Sequence, residues 1–156
     1  MASLLAVDVG LRTGLALYGG DGRLLWYRSQ NFGTAERLRR GVHGVIAGLL
    51  PHLGRMVVEG GGNLAEIWEK EAARRGVAAV RIPAEVWRER LLLPRDRRSG
   101  AQAKHTADEA ARRVIEWSGA PRATSLRHDA AEAILVGLWG VMDAGWLEAL
   151  PAALRP

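Results

Sequence analysis

The sequence predicts an α/β or α+β layer in which helices pack on a mixed sheet, and three observations carry that expectation. Three short apolar runs, LLAVDV, GLALYG and RLLWYRS, follow one another within the first 30 residues, separated only by short turns. Beyond them, amphipathic helical patterns alternate with two further short apolar runs. At 156 residues and 16.9 kDa the chain has room for one such layer and its core, and a second full domain is not expected.

Residues 4–9 read as a buried strand, and after the turn at Gly10–Thr13 a second strand starts at Gly14. Asp21 and Gly22 mark the hairpin into the third. Over residues 35–50, Leu38, Val42, Val45, Ile46, Leu49 and Leu50 recur at the spacing that places them on one helical face, and Pro51 ends the helix. RMVVEG is a short buried strand; after Gly60–Gly62 a helix is expected to run to about Arg75, with Asn63 as its cap. VAAVRI is the next strand, Pro83 opens a short helix through Trp87 and Leu91, and PRDRRSG reads as a loop. A long helix follows from about Ala101 to Trp117, and a last one from about His128 to Ala144, stopped by Gly145. The resulting order is β-β-β-α-β-α-β-α-α-α. A dinucleotide-binding fold would pass from its first strand through a glycine-rich turn into a helix, so Gly10, Gly14 and Gly19 are not that fingerprint.

No apolar run reaches the length of a membrane span, and the start MASLLAVDVG lacks the basic region and long apolar core of a signal peptide. The expectation is a soluble protein of the cytoplasm, or of the host-cell cytoplasm for a viral chain, with no membrane partner. There are no cysteines, which excludes a disulfide scaffold, a zinc ribbon, an iron–sulfur centre and a thiol nucleophile. A bound metal would need oxygen or imidazole ligands. Lys+Arg number 22 against 17 Asp+Glu, a formal net charge of +5. Only Lys70 and Lys104 are lysines, and residues 74–113 alone hold eleven basic and five acidic side chains, so the rest of the chain is slightly acidic. A local basic surplus is the electrostatic footprint of a polyanion-binding surface. Arg88, Arg90, Arg95, Arg97, Arg98 and Lys104, around the PRDRRSG loop and the start of the long helix, are the candidate nucleic-acid contacts.

Four carboxylates stand where strands and helices meet. Asp8 lies inside LLAVDV, among side chains that prefer burial, where an unpaired carboxylate is costly. Glu59 repeats the situation at the end of RMVVEG, with three glycines after it. Asp129 and Glu132 stand three apart in HDAAEAILVGLWGVM, on one side of the first turn of an apolar helix. Brought together, these acids would repel one another unless divalent cations lay between them, and oxygen-only ligation favours Mg2+ with Mn2+ as a substitute. Two such ions about 4 Å apart support in-line hydrolysis of a phosphodiester. In that scheme Asp8 bridges both ions, Glu59 and Asp129 each hold one side, and Glu132 completes the second or orients a water. His128 reads as a helix cap, a general base or a surface histidine; neither it nor His105 is taken as a metal ligand. Trp68, Trp87, Trp117, Trp139 and Trp146 read as packing anchors, with the Trp68 helix also a candidate dimer contact.

Asp8 in VDVGLRTG, Glu59 in MVVEG, and Asp129 with Glu132 in HDAAEA together resemble the RuvC-type Holliday junction resolvases of the ribonuclease H-like nuclease superfamily, of the compact, phage-like kind. The resemblance extends over essentially the whole chain. The turn after Asp8 is one residue shorter than in typical bacterial resolvases, and the last acid is glutamate in place of the usual aspartate. The resemblance implies a ribonuclease H-like fold, with a five-stranded mixed sheet whose first three strands are antiparallel. It also implies a homodimer with two active sites and magnesium-dependent nicking of opposed strands in a four-way DNA junction, leaving 5′-phosphates. Lys104 is the match to a basic residue near the scissile phosphate. Three rival readings are a related nuclease of ribosomal RNA maturation, to which Arg12 lends support, an actin-like ATPase, and a non-enzymatic DNA-binding module.

Overall fold

The computed structural model describes residues 2–156. A five-stranded sheet in the order β3-β2-β1-β4-β5 forms from β1 (Ser3–Asp8), β2 (Arg12–Tyr18), β3 (Leu24–Asn31), β4 (Leu53–Glu59) and β5 (Ala78–Ile82). β1, β2 and β3 pair antiparallel, and β1–β4 and β4–β5 pair parallel, as the mixed sheet was expected to do. Helix α1 (Ala35–Leu49) carries the chain from β3 to β4 and α2 (Gly62–Arg74) carries it from β4 to β5. Three more helices follow, α3 (Ala84–Leu91), α4 (Gly100–Ser118) and α5 (His128–Asp143).

Strand alternation divides the core into two halves. Leu5 and Val7 of β1 with Met56 and Val58 of β4 face α1 and α2, against Leu38, Val42, Ile46, Ala65 and Trp68. Leu4, Ala6 and Val57 face the other way, against α3, α4 and α5. Trp68 is fully buried, so its helical stripe is a packing stripe. Buried Glu71 ties α2 to α1: His43 Nδ1 lies 2.8 Å from its carboxylate, and Arg74 and Arg75 sit beside it. Burial works against the charged form, yet the His43 hydrogen bond and the neighbouring cations hold Glu71 below its ordinary range.

Two local expectations are corrected. Asn63 does not cap α2: Gly61 occupies that position and the helix begins at Gly62, whose φ of +71° suits glycine. The stretch expected as a loop contains a 3-10 turn over Pro94–Arg97, with proline at its first position, before Ser99 caps α4 by accepting from the Gln102 amide. The described residues contain no helix long and apolar enough to cross a membrane.

α5 packs closely enough on the sheet that side chains are excluded at several contacts. A Cβ on Gly137 would lie 2.2 Å from the Tyr18 ring, and one on Gly140 would lie 2.7 Å from Val57. Tyr18, fully buried, donates its hydroxyl to the Ile134 carbonyl of α5. At the other end of the helix, a Cβ on Gly14 would fall 1.9 Å from the Asp129 carbonyl oxygen. That oxygen is backbone and cannot rotate away, so Gly14→Ala should destabilise the fold by about 1–3 kcal/mol in a denaturant titration. Gly44→Ala, where a Cβ meets nothing within 4 Å inside α1, should instead stabilise by about 0.5–1 kcal/mol.

Candidate active site

One row of paired residues crosses all five strands: Ser29, Gly14, Asp8, Glu59 and Ile82 are successive register partners. Alternation puts Asp8 on the same face as Leu4 and Ala6, and Glu59 on the same face as Val57, which is the face that α5 covers. Parallel pairing of β1 with β4 sets Asp8 and Glu59 side by side at the ends of their strands. Gly14, with no side chain, leaves space above the row for the first turn of α5. Glu132 enters from that helix.

The carboxylates of Asp8, Glu59 and Glu132 each offer an oxygen within 4.8 Å of the other two. Three sequence-distant acids therefore form one cluster. Asp129, grouped with them on sequence grounds, turns elsewhere: its Oδ2 accepts from Ser29 Oγ at 2.8 Å and its Oδ1 accepts from the Ala130 amide at 2.9 Å. Three residues of separation rotate successive side chains by about 60° on a helix, enough to place Glu132 over β1 and β4 while Asp129 stands over β2 and β3. Asp129 remains close enough for its charge to act on Asp8.

The cluster is strained electrostatically. The Asp8 carboxyl, ordinarily titrating near 3.8, is pushed up to about 9 by burial first, then by a hydrogen bond to Glu59 and the negative charges of Glu59, Glu132 and Asp129. Glu59 is raised as well, by burial first and by the charges of Glu132 and Glu85, against the lowering effect of the Asp8 hydrogen bond and Arg88. Both carboxyls are thus biased toward their protonated forms, Asp8 the more strongly. Glu132 is only 7% exposed and has two basic neighbours: His128 Nε2 lies 2.9 Å from Oε1, and Arg88 Nη2 lies 3.4 Å from the same oxygen.

The donor set fits a hard divalent cation: three carboxylate oxygens within 4.8 Å of one another and no sulfur. Asp8, Glu59 and Glu132 are the residues placed to hold such an ion. Sequence reasoning missed Ser29 and the inward role of Arg88. Ser29 had no signal beyond its position in the third strand, whereas Arg88 sits one residue after the buried Trp87, a spacing that could have pointed it toward the core edge.

The other basic candidates lie farther along the chain. Arg90 is exposed near the end of α3, and Arg95, Arg98 and Lys104 are exposed around the 3-10 turn and the start of α4. Arg97 is half-buried, and its Nε has no hydrogen-bond partner. His105 pairs with Glu109 on the surface of α4, away from the carboxylates. A cavity of about 750 Å³ is lined by Arg39, Arg40, His43, Lys70 and Arg74 among others, between α1 and α2. It lies on the face of the sheet opposite the acidic cluster.

No protein-family model matches the chain, and no curated protein matches it in sequence. Solved structures do match. The Thermus thermophilus RuvC structure aligns with a TM-score of 0.65 over 92% of this chain and 96% of that chain, at 18% identity. T. thermophilus RuvC in complex with a Holliday junction substrate aligns with a TM-score of 0.61 over 92% and 95%, at 13% identity. At these identities the likeness is one of backbone architecture, and with the observed strand order it shows that the chain has a ribonuclease H-like fold.

Proposed function

We propose that residues 1–156 form a single nuclease domain, a structure-selective endodeoxyribonuclease that resolves four-way or otherwise branched DNA by metal-dependent hydrolysis, leaving 5′-phosphates. The observation that carries this reading is the convergence of Asp8, Glu59 and Glu132 on one face of a ribonuclease H-like sheet. The family resemblance of the surrounding motifs supports branched DNA as the substrate. Cutting opposed strands of one junction calls for two active sites, so the proposed working form is a homodimer. The same reading places it in the cytoplasm, of its own cell or of a host.

Asp8, Glu59 and Glu132 would hold Mg2+, with Mn2+ as a substitute and two ions per site, and Asp129 contributes charge from the β2–β3 side. The ions supply Lewis acidity for phosphodiester hydrolysis without a protein nucleophile. The protein's own part is placement. β1 and β4 fix Asp8 and Glu59 on rigid strand ends, His128 orients Glu132, and Ser29 orients Asp129. Arg90, Arg95, Arg97, Arg98 and Lys104 hold backbone phosphates and position the substrate without reading its sequence.

Asp8→Asn, Glu59→Gln or Glu132→Gln should each lower cleavage of a mobile four-way junction by about 100-fold or more while changing junction binding only a few-fold. The panel includes a flap, plain duplex DNA and structured RNA in Mg2+; preference for RNA overturns the reading in favour of an RNA-processing nuclease. Arg97→Ala with Arg98→Ala should act oppositely, weakening binding and reducing the slope of log K against log salt by about 1–2.

The raised Asp8 gives a pH test. The folded chain keeps a proton that the unfolded chain releases near pH 3.8, so metal-free stability should fall as pH rises from about 4 to about 9. Asp8→Asn should remove much of that decline, melting above the wild type at pH 8 and close to it at pH 4. Parallel melting curves for the two proteins across this range would show that the strain is absent.

A further inference from the structure

Arg88 has a structural setting that a phosphate-binding surface residue does not require. Its guanidinium carbon lies 5.3 Å from the centre of the Trp87 ring, and Trp87 is fully buried. The Arg88 Nε is shielded from solvent and has no hydrogen-bond partner, while Nη2 reaches Glu132 Oε1 at 3.4 Å. The arginine side chain is 28% exposed and its carboxylate partner 10% exposed. The guanidinium is therefore set between an aromatic face and one carboxylate oxygen, which it reaches in a long ion pair.

Charge explains why the tip is there. Three carboxylates within 4.8 Å of one another, with Asp129 on the same helix turn as Glu132, gather acidic groups in excess of the bases that touch them. Among the described residues, Arg88 is the permanent cation in contact with the cluster; His128 makes a second contact with the same oxygen. An ion pair of 3.4 Å is longer than a charge-assisted hydrogen bond, and through one nitrogen it lacks the second prong that makes arginine–carboxylate contacts strong, so the carboxylate is open to a competing cation. A buried Nε without an acceptor marks a side chain whose hydrogen bonding is incomplete in this state.

We propose that Arg88 is the site's built-in counter-ion: it neutralises Glu132 while the site is metal-free and yields that carboxylate to an incoming divalent cation, which frees the guanidinium tip for a substrate phosphate. The proposal rests on the metal-site part of the functional reading and is independent of which nucleic acid is cut. It separates Arg88 from the exposed arginines near α4, which have no partner in the cluster. Arg88 is a positioning residue in the metal-free protein.

The test uses the full chain without nucleic acid. Arg88→Gln should melt below the wild type in EDTA, show a larger upward shift on adding Mg2+, and bind Mg2+ by calorimetry about 3-fold to 10-fold more tightly, because a competing positive charge is gone. Arg88→Lys, which keeps the charge, should stay near the wild type. In a Glu132→Gln background, Arg88→Gln should no longer lower the metal-free melting temperature. Equal or weaker Mg2+ binding by folded Arg88→Gln overturns the proposal.

For an Arg88→Gln chain that does not fold, nitrogen-15 NMR of the wild type decides. The Arg88 Nε–H signal, assigned by its loss in Arg88→Lys, should move with the calorimetric Mg2+ saturation curve, and an unmoved signal overturns the proposal. Absence of Mg2+ and Mn2+ binding in both wild type and Arg88→Gln overturns the metal site together with the counter-ion role. Normal metal binding without cleavage of branched DNA overturns only the proposed substrate.

Discussion

Crowding of negative charge at one end of the sheet is the constraint around which this molecule is arranged. Carboxylates as close as those of Asp8, Glu59 and Glu132 cannot all remain charged beside a hydrophobic core without compensation. Each compensation is visible. Asp8 is driven toward its protonated form, Glu132 leans on His128 and Arg88, and Asp129 is turned away to Ser29 and its own helix. A site with this much unresolved charge is poised to gain stability from a cation.

Such an arrangement survives only on a rigid support. Asp8 and Glu59 sit at the ends of β1 and β4, each directly after a buried apolar run, residues 4–7 and 56–58, and parallel pairing locks their register. α5 is held to the same face by contacts that leave no room for a Cβ at Gly14, Gly137 or Gly140, and by the Tyr18 hydroxyl on its backbone. The close approach that lets Glu132 reach the strand carboxylates is thus a consequence of packing between helix and sheet. Stability is given up locally at the acids and recovered in the apolar layers on either side.

Much of the fold was legible because its signals are local. The strand runs around Val7, Leu17 and Val58 and the helical spacing of Leu38, Val42 and Ile46 each report burial directly in one dimension. Asp8 and Glu59 stood out for the same reason, as acids in apolar strands. What went astray depended on contacts outside the local pattern. Asn63 looks like a cap, but glycine geometry at Gly61 and Gly62 starts the helix earlier. Arg88 looks like its exposed neighbours, but the buried Trp87 ring directs it toward Glu132.

By itself the sequence determined the element order, the two apolar faces of the sheet, the absence of thiol chemistry and the identity of the acids, because composition and periodicity act over a few residues at a time. Only the tertiary structure decided which acids meet. Asp129 and Glu132 are both candidates on paper, Asp129 for a direct metal contact, and the docking of α5 over Gly14 separates them, sending the Asp129 carboxylate to Ser29 and that of Glu132 into the cluster. It also decided which cation answers the acids. Electrostatic partnership depends on distances of a few ångströms across the fold, and those distances come from packing, to which spacing along the chain is blind.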